Sequence, residues 1–266
     1  MRGLLTIAAV VMISAAAFGQ SLVFDGSKYL STPDSADFDW TTENEFSVSF
    51  WAKPDIVSDI NKLSGFVQKG YYESDAGFEI LLNRNAPVLG GGIGSVGFIV
   101  NNEDLYSDTV LVAGEWAHIA CVKDAANHYI YINGILDANR ATTAFQTNSL
   151  ALEIGRRNPS AALPDTFDGS IADPVRIYSY ALTANEVAAL YLDKAAYLNY
   201  TVFTNTYASL PTPDWPLANI GGTNVLTEIP MRPSPLLPIN AAVTNTWTTY
   251  DGQHTITPYN GPTVGE

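Results

Sequence analysis

Cysteine, histidine and basic side chains are scarce in this chain, and each shortage excludes a class of function. The 266 residues contain one cysteine, so no intramolecular disulfide can form, and three histidines without the spacing of a zinc site. Thirteen Lys and Arg stand against 27 Asp and Glu, which gives a formal net charge of −14. Because such a chain repels phosphates and has no basic cluster, nucleic acid is not an expected partner.

Motifs of catalysis are also absent. Glycoside hydrolases that retain configuration need two carboxyl groups about 5–5.5 Å apart, yet Phe78–Leu82 and Leu152–Arg156 hold one glutamate each. There is no G-x-S-x-G nucleophile motif. A Ser-His-Asp triad assembled in three dimensions stays open, and so does a diverged hydrolase or lyase. The sequence favours a protein that is not an enzyme.

The single cysteine has the environment of a packing residue. Cys121 lies in an apolar strand pattern, where a small buried thiol is typical. His118 is three residues away, and an odd spacing on a strand puts two side chains on opposite faces. We therefore expect Cys121 to be an inert core residue.

Residues 1–20 are typical of a secretory signal. Arg2 supplies the positive start, Leu4–Ile13 the apolar run, and Ala15–Gln20 the end rich in small residues. The apolar run is too short to cross a membrane, which takes about 20 residues. The segment predicts a secreted or cell-surface protein without a membrane span after the signal is removed.

Short strands separated by turns follow the signal. In Glu45–Lys53, Phe46, Val48 and Phe50 alternate with Ser47, Ser49 and Trp51, which is the period of a strand. Asn133-Gly134 stands between apolar residues and indicates a tight hairpin, because both residue types tolerate positive φ. Many strands of this kind predict an all-β protein, a two-sheet antiparallel β-sandwich.

One stretch, Phe167–Tyr191, combines a turn, a strand and an amphipathic helix. Thr183 and Glu186 fit a capping box at the helix start, and Val187, Leu190 and Tyr191 form an apolar stripe. This stretch, with FSVSFWAKP at Phe46–Pro54 and GEWAHIACVKD at Gly114–Asp124, resembles the laminin-G-like jelly-roll family of the concanavalin A-like lectin/glucanase superfamily. The resemblance covers about Leu22–Leu192. It implies a jelly roll with one short helix over residues 21–196.

The resemblance also implies a Ca²⁺ ion where the first and last strands of the jelly roll meet. Carried over to this sequence, its carboxylate ligands are Asp25 and Asp173, and oxygen ligands suit that ion. Pro174 departs from the family pattern and indicates a bulge that re-aims Asp173 or removes the site. The alternative is that both aspartates only shape turns.

A carbohydrate ligand would need aromatic platforms with polar groups beside them. Trp51 and Trp116 belong to the family motifs and are expected to pack. The aromatic side chains in polar, loop-like surroundings are the ligand-binding candidates, namely Trp40, Tyr71, Tyr72 and Tyr106. Arg156 and Arg157 can bind a sulfate or carboxylate of an acidic glycan, or else form a solvated strand end.

The composition changes after about residue 197. Nine of the 15 prolines lie in residues 197–266, a density that the interior of a sheet does not tolerate. We expect an extended C-terminal segment with partial strand structure. Two functions remain from different classes: a secreted module that binds a glycan or glycoprotein, with Ca²⁺ as a structural ion, and an assembly protein that uses residues 197–266 to join other chains.

Overall fold

The computed structural model describes residues 21–41, 44–59, 63–70, 76–84, 91–157 and 165–198, and six short strands between 217 and 265. At positions 173–174, at 193–198 and in those six strands, the description is of the backbone alone. The predicted signal at 1–20 lies outside these residues. None of the helices in the described part of the chain has the length and apolar character needed to span a bilayer.

Strands form most of the structure, with one α-helix, α1 (Ala184–Leu198), and one 3₁₀ turn (Ala36–Phe38). The strands are β1 (Ser21–Asp25), β2 (Tyr29–Thr32), β3 (Phe46–Pro54), β4 (Ser64–Lys69), β5 (Phe78–Leu82), β6 (Ser95–Val100), β7 (Glu103–Val110), β8 (Ala117–Lys123), β9 (Asn127–Ile132), β10 (Ile135–Ala141), β11 (Leu152–Ile154), β12 (Arg156–Arg157), β13 (Asp165–Thr166), β14 (Asp168–Tyr178), β15 (Leu217–Ile220), β16 (Thr223–Leu226), β17 (Leu236–Leu237), β18 (Trp247–Thr248), β19 (Thr255–Tyr259) and β20 (Thr263–Gly265).

Two antiparallel eight-stranded sheets form a sandwich, which confirms the predicted fold class. Sheet A has the order β10-β9-β8-β3-β14-β1-β20, with β17 beside β14, and sheet B has the order β18-β19-β2-β11-β4-β5-β6-β7. The side chains of Phe46, Val48 and Phe50 enter the core between the sheets. The alternate residues of β3 face outward from sheet A, as the period-2 pattern predicts.

The first strand of the domain pairs with β14, as the family resemblance implies. Asp25 lies opposite Asp168 in the register of β1 and β14. The Gly26 amide donates to the Phe167 carbonyl at 3.1 Å, so the two Phe-Asp-Gly-Ser turns lie side by side. This contact fixes one end of the sandwich.

The irregularity predicted at Pro174 is present in β14. Ala172 lies opposite Trp51 of β3 and Arg176 lies opposite Ser49, so four steps along β14 correspond to two along β3. A proline cannot donate to the ladder, which explains why the pairing breaks at this point. β17 pairs with β14 at Val175 and Arg176, beyond the end of β1.

The hairpin and the helix cap form as predicted. Asn133 and Gly134 have φ angles of 52° and 80° and join β9 to β10. At the start of α1, the Thr183 amide donates to a Glu186 carboxylate oxygen at 2.8 Å, and the Glu186 amide donates to the Thr183 hydroxyl at 3.3 Å. Val187 and Leu190 are buried and pack α1 onto the outer face of sheet A.

The C-terminal segment contributes strands to both sheets of its own chain. β20 pairs with β1, and β19 pairs with β2. Together with β17, these strands occupy sheet edges that would otherwise be open to another chain. Assembly through residues 197–266, and the division of the chain at residue 197, stay predictions.

Candidate functional site

A row of polar side chains crosses the outer face of sheet B at right angles to its strands. Glu153 of β11 lies opposite Gln68 of β4, and Gln68 lies opposite Glu79 of β5. The row continues through Ile99 of β6 to Asp104 of β7. Since neighbouring strands are about 4.8 Å apart, the row from Glu153 to Asp104 is roughly 19 Å long. We call it the polar row.

Arg156 covers the end of the polar row at β11. Its guanidinium pairs with both carboxylate oxygens of Glu153, with Nε 3.0 Å from Oε2. The same guanidinium lies 3.7 Å from the ring centroid of Tyr29 on β2. Glu153 also accepts from the Gln68 side-chain amide at 2.7 Å. An arginine held by both an ion pair and an aromatic ring has its plane fixed before any ligand arrives.

Arg157 covers the middle of the polar row. Its Nε is 2.6 Å from Glu79 Oε2, and its Nη1 is 3.4 Å from Asp165 Oδ2 on β13. Both the arginine and Glu79 are buried. The hairpin of β12 and β13 lies over sheet B. The Arg157–Glu79 ion pair joins the hairpin to β5, and the Arg157–Asp165 ion pair joins its two strands.

Tyr106 and Asp104 form the other end of the polar row, on β7. Gly97 of β6 is opposite Tyr106 and leaves room for the tyrosine ring, because a Cβ at Gly97 would lie 2.8 Å from Cε1 of that ring. Partial burial raises the pKa of the Asp104 carboxyl above its usual range, against the opposing effect of Arg140 and Arg157.

Exposure divides these residues into a surface layer and a supporting layer. Gln68, Glu79 and Glu153 are buried beneath the others. The half-buried residues above them are Tyr29, Asp104, Tyr106, Arg156 and Asp165. The surface layer offers aromatic rings, carboxylates and one guanidinium, which is the combination that binds sugar rings and their hydroxyls.

Of the predicted ligand-binding residues, the structure places Tyr106, Arg156 and Arg157 on one face, the outer face of sheet B, with Arg156 and Tyr106 at opposite ends of the polar row. Trp40 lies in the core instead: it is 3% exposed, and its ring stacks on Phe46 with centroids 4.6 Å apart. Its ring therefore supplies packing and has no open face for a sugar. Tyr71 and Tyr72 lie outside the described residues.

Three residues of the polar row were not predicted from the sequence as ligand-binding candidates: Gln68, Glu79 and Glu153. Glu79 and Glu153 are each the one polar residue of a short apolar strand, whereas Gln68 stands beside Lys69 in β4 and has no such signal. That isolation is a signal that the two glutamate side chains face outward. Their alignment depends on the order β11-β4-β5, which no local pattern encodes.

The two predicted calcium ligands do not share a site. Asp25 lies opposite Asp168, whereas Ala172, which precedes Asp173, lies opposite Ser21 at the other end of β1. Five residues of extended strand separate the two positions along β14, a distance of roughly 16 Å. The structure therefore does not bring the two aspartates together, and a calcium ion on this chain stays a prediction.

Asp25 shapes a turn, as the alternative reading of the sequence proposed. Its carboxylate accepts from the Ser27 hydroxyl at 2.7 Å and the Ser27 amide at 3.1 Å, and it pairs with Lys28. The Ser27 and Lys28 hydrogen bonds hold the pKa of the Asp25 carboxyl below its usual range, against the effect of burial. Among the residues that the structure describes, no three His, Cys, Asp or Glu side chains form a metal cluster.

Calcium is accordingly expected to have no effect through Asp25. Ca²⁺ takes about 6–8 oxygen ligands, and a turn carboxylate already paired with Lys28 supplies too few. We expect the same melting temperature in millimolar Ca²⁺ and in chelator, for the wild type and for Asp25→Ala. The measurement is thermal unfolding followed by circular dichroism. A Ca²⁺-dependent increase that Asp25→Ala abolishes would contradict this result.

A buried serine–histidine pair lies on the outer face of sheet A. Ser49 Oγ is 2.9 Å from Nε2 of His118, and both side chains are buried. Burial, followed by the positive charge of Arg176, lowers the pKa of His118 to about 3. A ring of that pKa is a poor base, and no carboxylate among the described residues bonds its Nδ1. The pair is a packing contact under α1.

The cysteine is inert, as predicted. Cys121 belongs to the core between the sheets, while His118 faces away from it, beside Trp51. Burial raises the pKa of the Cys121 thiol well above its usual range. Trp51 also packs as predicted, with its ring stacked on Tyr191 of α1 at 5.5 Å between centroids.

Comparison with solved structures returns jelly-roll proteins at low sequence identity. A candidate carbohydrate-binding protein from Bacteroides ovatus superposes with a TM-score of 0.65 and 15% identity, over 93% of this chain and 60% of the other. A heptameric SAP-like pentraxin from Limulus polyphemus gives a TM-score of 0.49 and 14% identity, over 65% of this chain and 82% of the other. The chain thus spans about three fifths of the Bacteroides protein.

Comparison with curated protein sequences gives no match. The family model that matches is described as the concanavalin A-like lectin/glucanases superfamily, and it covers residues 24–188. That range holds most of both sheets and the start of α1. The chain belongs to the laminin-G-like family of the concanavalin A-like lectin/glucanases superfamily.

Proposed function

We propose that this protein is an extracellular, non-catalytic module that binds a neutral glycan on the outer face of sheet B. The observation that carries the proposal is the polar row, whose buried residues hold Arg156 and Arg157 in fixed positions, with the Arg156 guanidinium against the half-buried ring of Tyr29. Such preorganised polar groups with apolar platforms suit a sugar. The description of the Bacteroides protein as a carbohydrate-binding candidate supports the same class.

Charge favours a neutral glycan over an acidic one. Both Arg156 and the buried Arg157 are already paired with carboxylates of the chain. With Arg140, which acts on Asp104, three guanidinium groups stand against four carboxylates at this face: Glu79, Glu153, Asp104 and Asp165. A sulfate or uronate would have to displace one of these ion pairs in a chain of net charge −14.

The same ion pairs argue against glycoside hydrolysis at this face. A hydrolase needs one carboxyl group to protonate the leaving oxygen and a second to attack or to activate water. Glu79 and Glu153 are separated by β4, and each is engaged by an arginine. Both carboxylates hold the arginines that lie above them.

Secretion, predicted from residues 1–20, is consistent with a glycan outside the cell.

The test is binding of the mature chain to a panel of neutral polysaccharides and their sulfated or uronate-containing counterparts. We expect binding to at least one neutral polysaccharide, measured by affinity electrophoresis and then by calorimetry. Tyr29→Ala is expected to weaken it about tenfold, because the variant removes a ring and releases Arg156.

Tyr129→Ala is the matched control. Tyr129 is also a half-buried strand tyrosine, but it packs against the cluster on the outer face of sheet A. The affinity of Tyr129→Ala for the polysaccharide should equal that of the wild type. Equal losses in both variants, or binding of the acidic polysaccharides alone, would refute the assignment to this face.

A further inference from the structure

We infer that the β7 end of the polar row is a subsite for one sugar ring, in which the Asp104 carboxylate accepts hydrogen bonds from hydroxyl groups of the glycan. This inference rests on the proposed function, because it assigns one contact within the same surface. It adds a requirement on the ligand, which must carry free hydroxyl groups where it meets Asp104. We call Ile99, Asp104 and Tyr106 the hydroxyl subsite.

Asp104 differs from the other carboxylates of this face because the chain gives it no partner. Glu153, Glu79 and Asp165 each form an ion pair with an arginine. Asp104 Oδ1 is buried and has no hydrogen-bond partner among the residues that the structure describes. Arg140 donates to the backbone carbonyl of Asp104 at 2.6 Å, and not to its carboxylate. Three carboxylates therefore hold the surface together, and the fourth is left for a ligand.

The unpartnered carboxylate of Asp104 carries a cost in the free protein. A buried acceptor that loses water without gaining a hydrogen bond destabilises the fold. Burial raises the pKa of the Asp104 carboxyl in spite of Arg140 and Arg157, which shows that this cost outweighs their attraction. Proteins retain such local costs mainly at functional sites, where the compensating contact forms only in the complex.

The neighbours of Asp104 give the subsite an apolar floor. Ile99 lies opposite Asp104 on β6, and its side chain is buried below the surface layer. Tyr106 is two residues further along β7 and so faces the same side of the sheet. Its ring lies across Gly97, which has no Cβ to displace it. A half-buried carboxylate beside an aromatic ring suits a sugar, whose hydroxyls and C–H groups both need contacts.

The chemistry of an ionised carboxylate makes this subsite selective. A carboxylate accepts hydrogen bonds and cannot donate them, and its two oxygens can accept from two neighbouring hydroxyls of one ring. Such charge-assisted bonds are about twice as strong as those between neutral groups. A methyl ether has no proton to donate, so it would cover Asp104 and leave the carboxylate unpaired. We therefore expect the subsite to reject O-methylated sugars.

The first test needs no ligand and asks whether Asp104 is a structural residue. Asp104→Asn keeps the shape of the side chain and removes its charge, so its melting temperature should equal or exceed that of the wild type. Glu153→Gln makes the same change at a carboxylate that bonds Arg156 and Gln68, and it should melt at a lower temperature. A decrease in Asp104→Asn as large as in Glu153→Gln would overturn the proposal.

The second test measures affinity for the neutral polysaccharide of the panel that the wild-type mature chain binds most tightly, by calorimetry. Asp104→Asn is expected to raise the dissociation constant about tenfold, because an amide makes weaker hydrogen bonds than a carboxylate. The matched control is Asp108→Asn, which removes the same charge at an exposed position roughly 13 Å further along β7. Asp108→Asn should bind as the wild type does. Equal affinities of Asp104→Asn and the wild type would also overturn the proposal.

The third test compares the same polysaccharide with its partially O-methylated form. Methylation should weaken binding more in the wild type than in Asp104→Asn, because the asparagine amide can donate to an ether oxygen and a carboxylate cannot. Equal losses would show that other residues recognise the hydroxyl groups, and the assignment to Asp104 would fail while the proposed function stands. If the wild type binds no polysaccharide of the panel, the proposed function fails together with this subsite.

Discussion

Arg84→Met is expected to lower the free energy of unfolding by about 3–5 kcal/mol, the usual cost of removing one partner from a buried ion pair. The Arg84 side chain is 1% exposed. Its Nη1 donates to Ser64 Oγ at 2.9 Å and to Asp168 Oδ2 at 3.1 Å, and its Nη2 is 3.4 Å from Asp59 Oδ2. Methionine fills part of the volume but neutralises neither aspartate.

The position of Arg84 explains why we expect a loss of this size. It follows β5 in sheet B, and its partner Asp168 begins β14 in sheet A, opposite Asp25 of β1. The arginine therefore joins the two sheets at the end where the Phe-Asp-Gly-Ser turns meet. Without it, the partly buried Asp168 carboxylate has lost its counter-charge inside the sandwich.

Urea unfolding of Arg84→Met, Lys28→Met and Arg84→Met/Asp168→Asn measures this contribution. Lys28 pairs with Asp25, whose side chain is 51% exposed, so Lys28→Met should cost less than about 1 kcal/mol. The double variant should recover part of the loss, since asparagine carries no charge that needs a partner. A loss in Arg84→Met no greater than in Lys28→Met would contradict a stabilising role for the buried network.

Local patterns in the sequence predicted the elements that local chemistry determines. The Thr183 and Glu186 cap, the Asn133-Gly134 turn and the alternation along β3 each depend on residues within a few positions of one another. The break in β14 also followed from one residue, Pro174, because its missing amide acts within its own strand.

The candidate site depended on contacts that local patterns do not contain. Glu79 and Glu153 are 74 positions apart in the sequence, and only the order of strands in sheet B aligns them. Trp40 was predicted at the surface because its neighbours are polar, yet its ring packs on Phe46 in the core. Asp25 and Asp173 were paired by analogy, and the antiparallel register of β1 and β14 separates them.

Acid is expected to destabilise this fold between pH 6.5 and 4.5, before most carboxylates titrate, because two histidines are buried in neutral form. Burial, followed by Arg176, lowers the pKa of His118 to about 3. Burial lowers the pKa of His128 to about 4, helped by Arg140 and Lys123 and opposed by Glu103. In the unfolded chain both return to an ordinary value of about 6.5.

The direction of this change in the free energy of unfolding follows from the number of protons that the native and unfolded states bind. Below pH 6.5 the unfolded chain gains a proton at each histidine and the native chain does not, so the free energy of unfolding falls as the pH falls. The stabilisation is fully present above pH 6.5 and decreases by about 1.4 kcal/mol per pH unit and per histidine toward the native pKa. Two histidines give a loss of about 4–5 kcal/mol between pH 7 and pH 4.5.

Urea unfolding at half-unit steps of pH tests this prediction in the wild type, His118→Gln and His128→Gln. Each variant removes one titrating ring, so its slope between pH 6 and pH 4.5 should be about half that of the wild type, whatever its stability at pH 7. The slope separates titration from lost packing, because a packing defect shifts the whole curve without changing its slope. A wild-type curve that is flat across this range would contradict the prediction. It would mean that His118, beneath α1, and His128, on β9, are protonated in the native state as readily as in the unfolded chain.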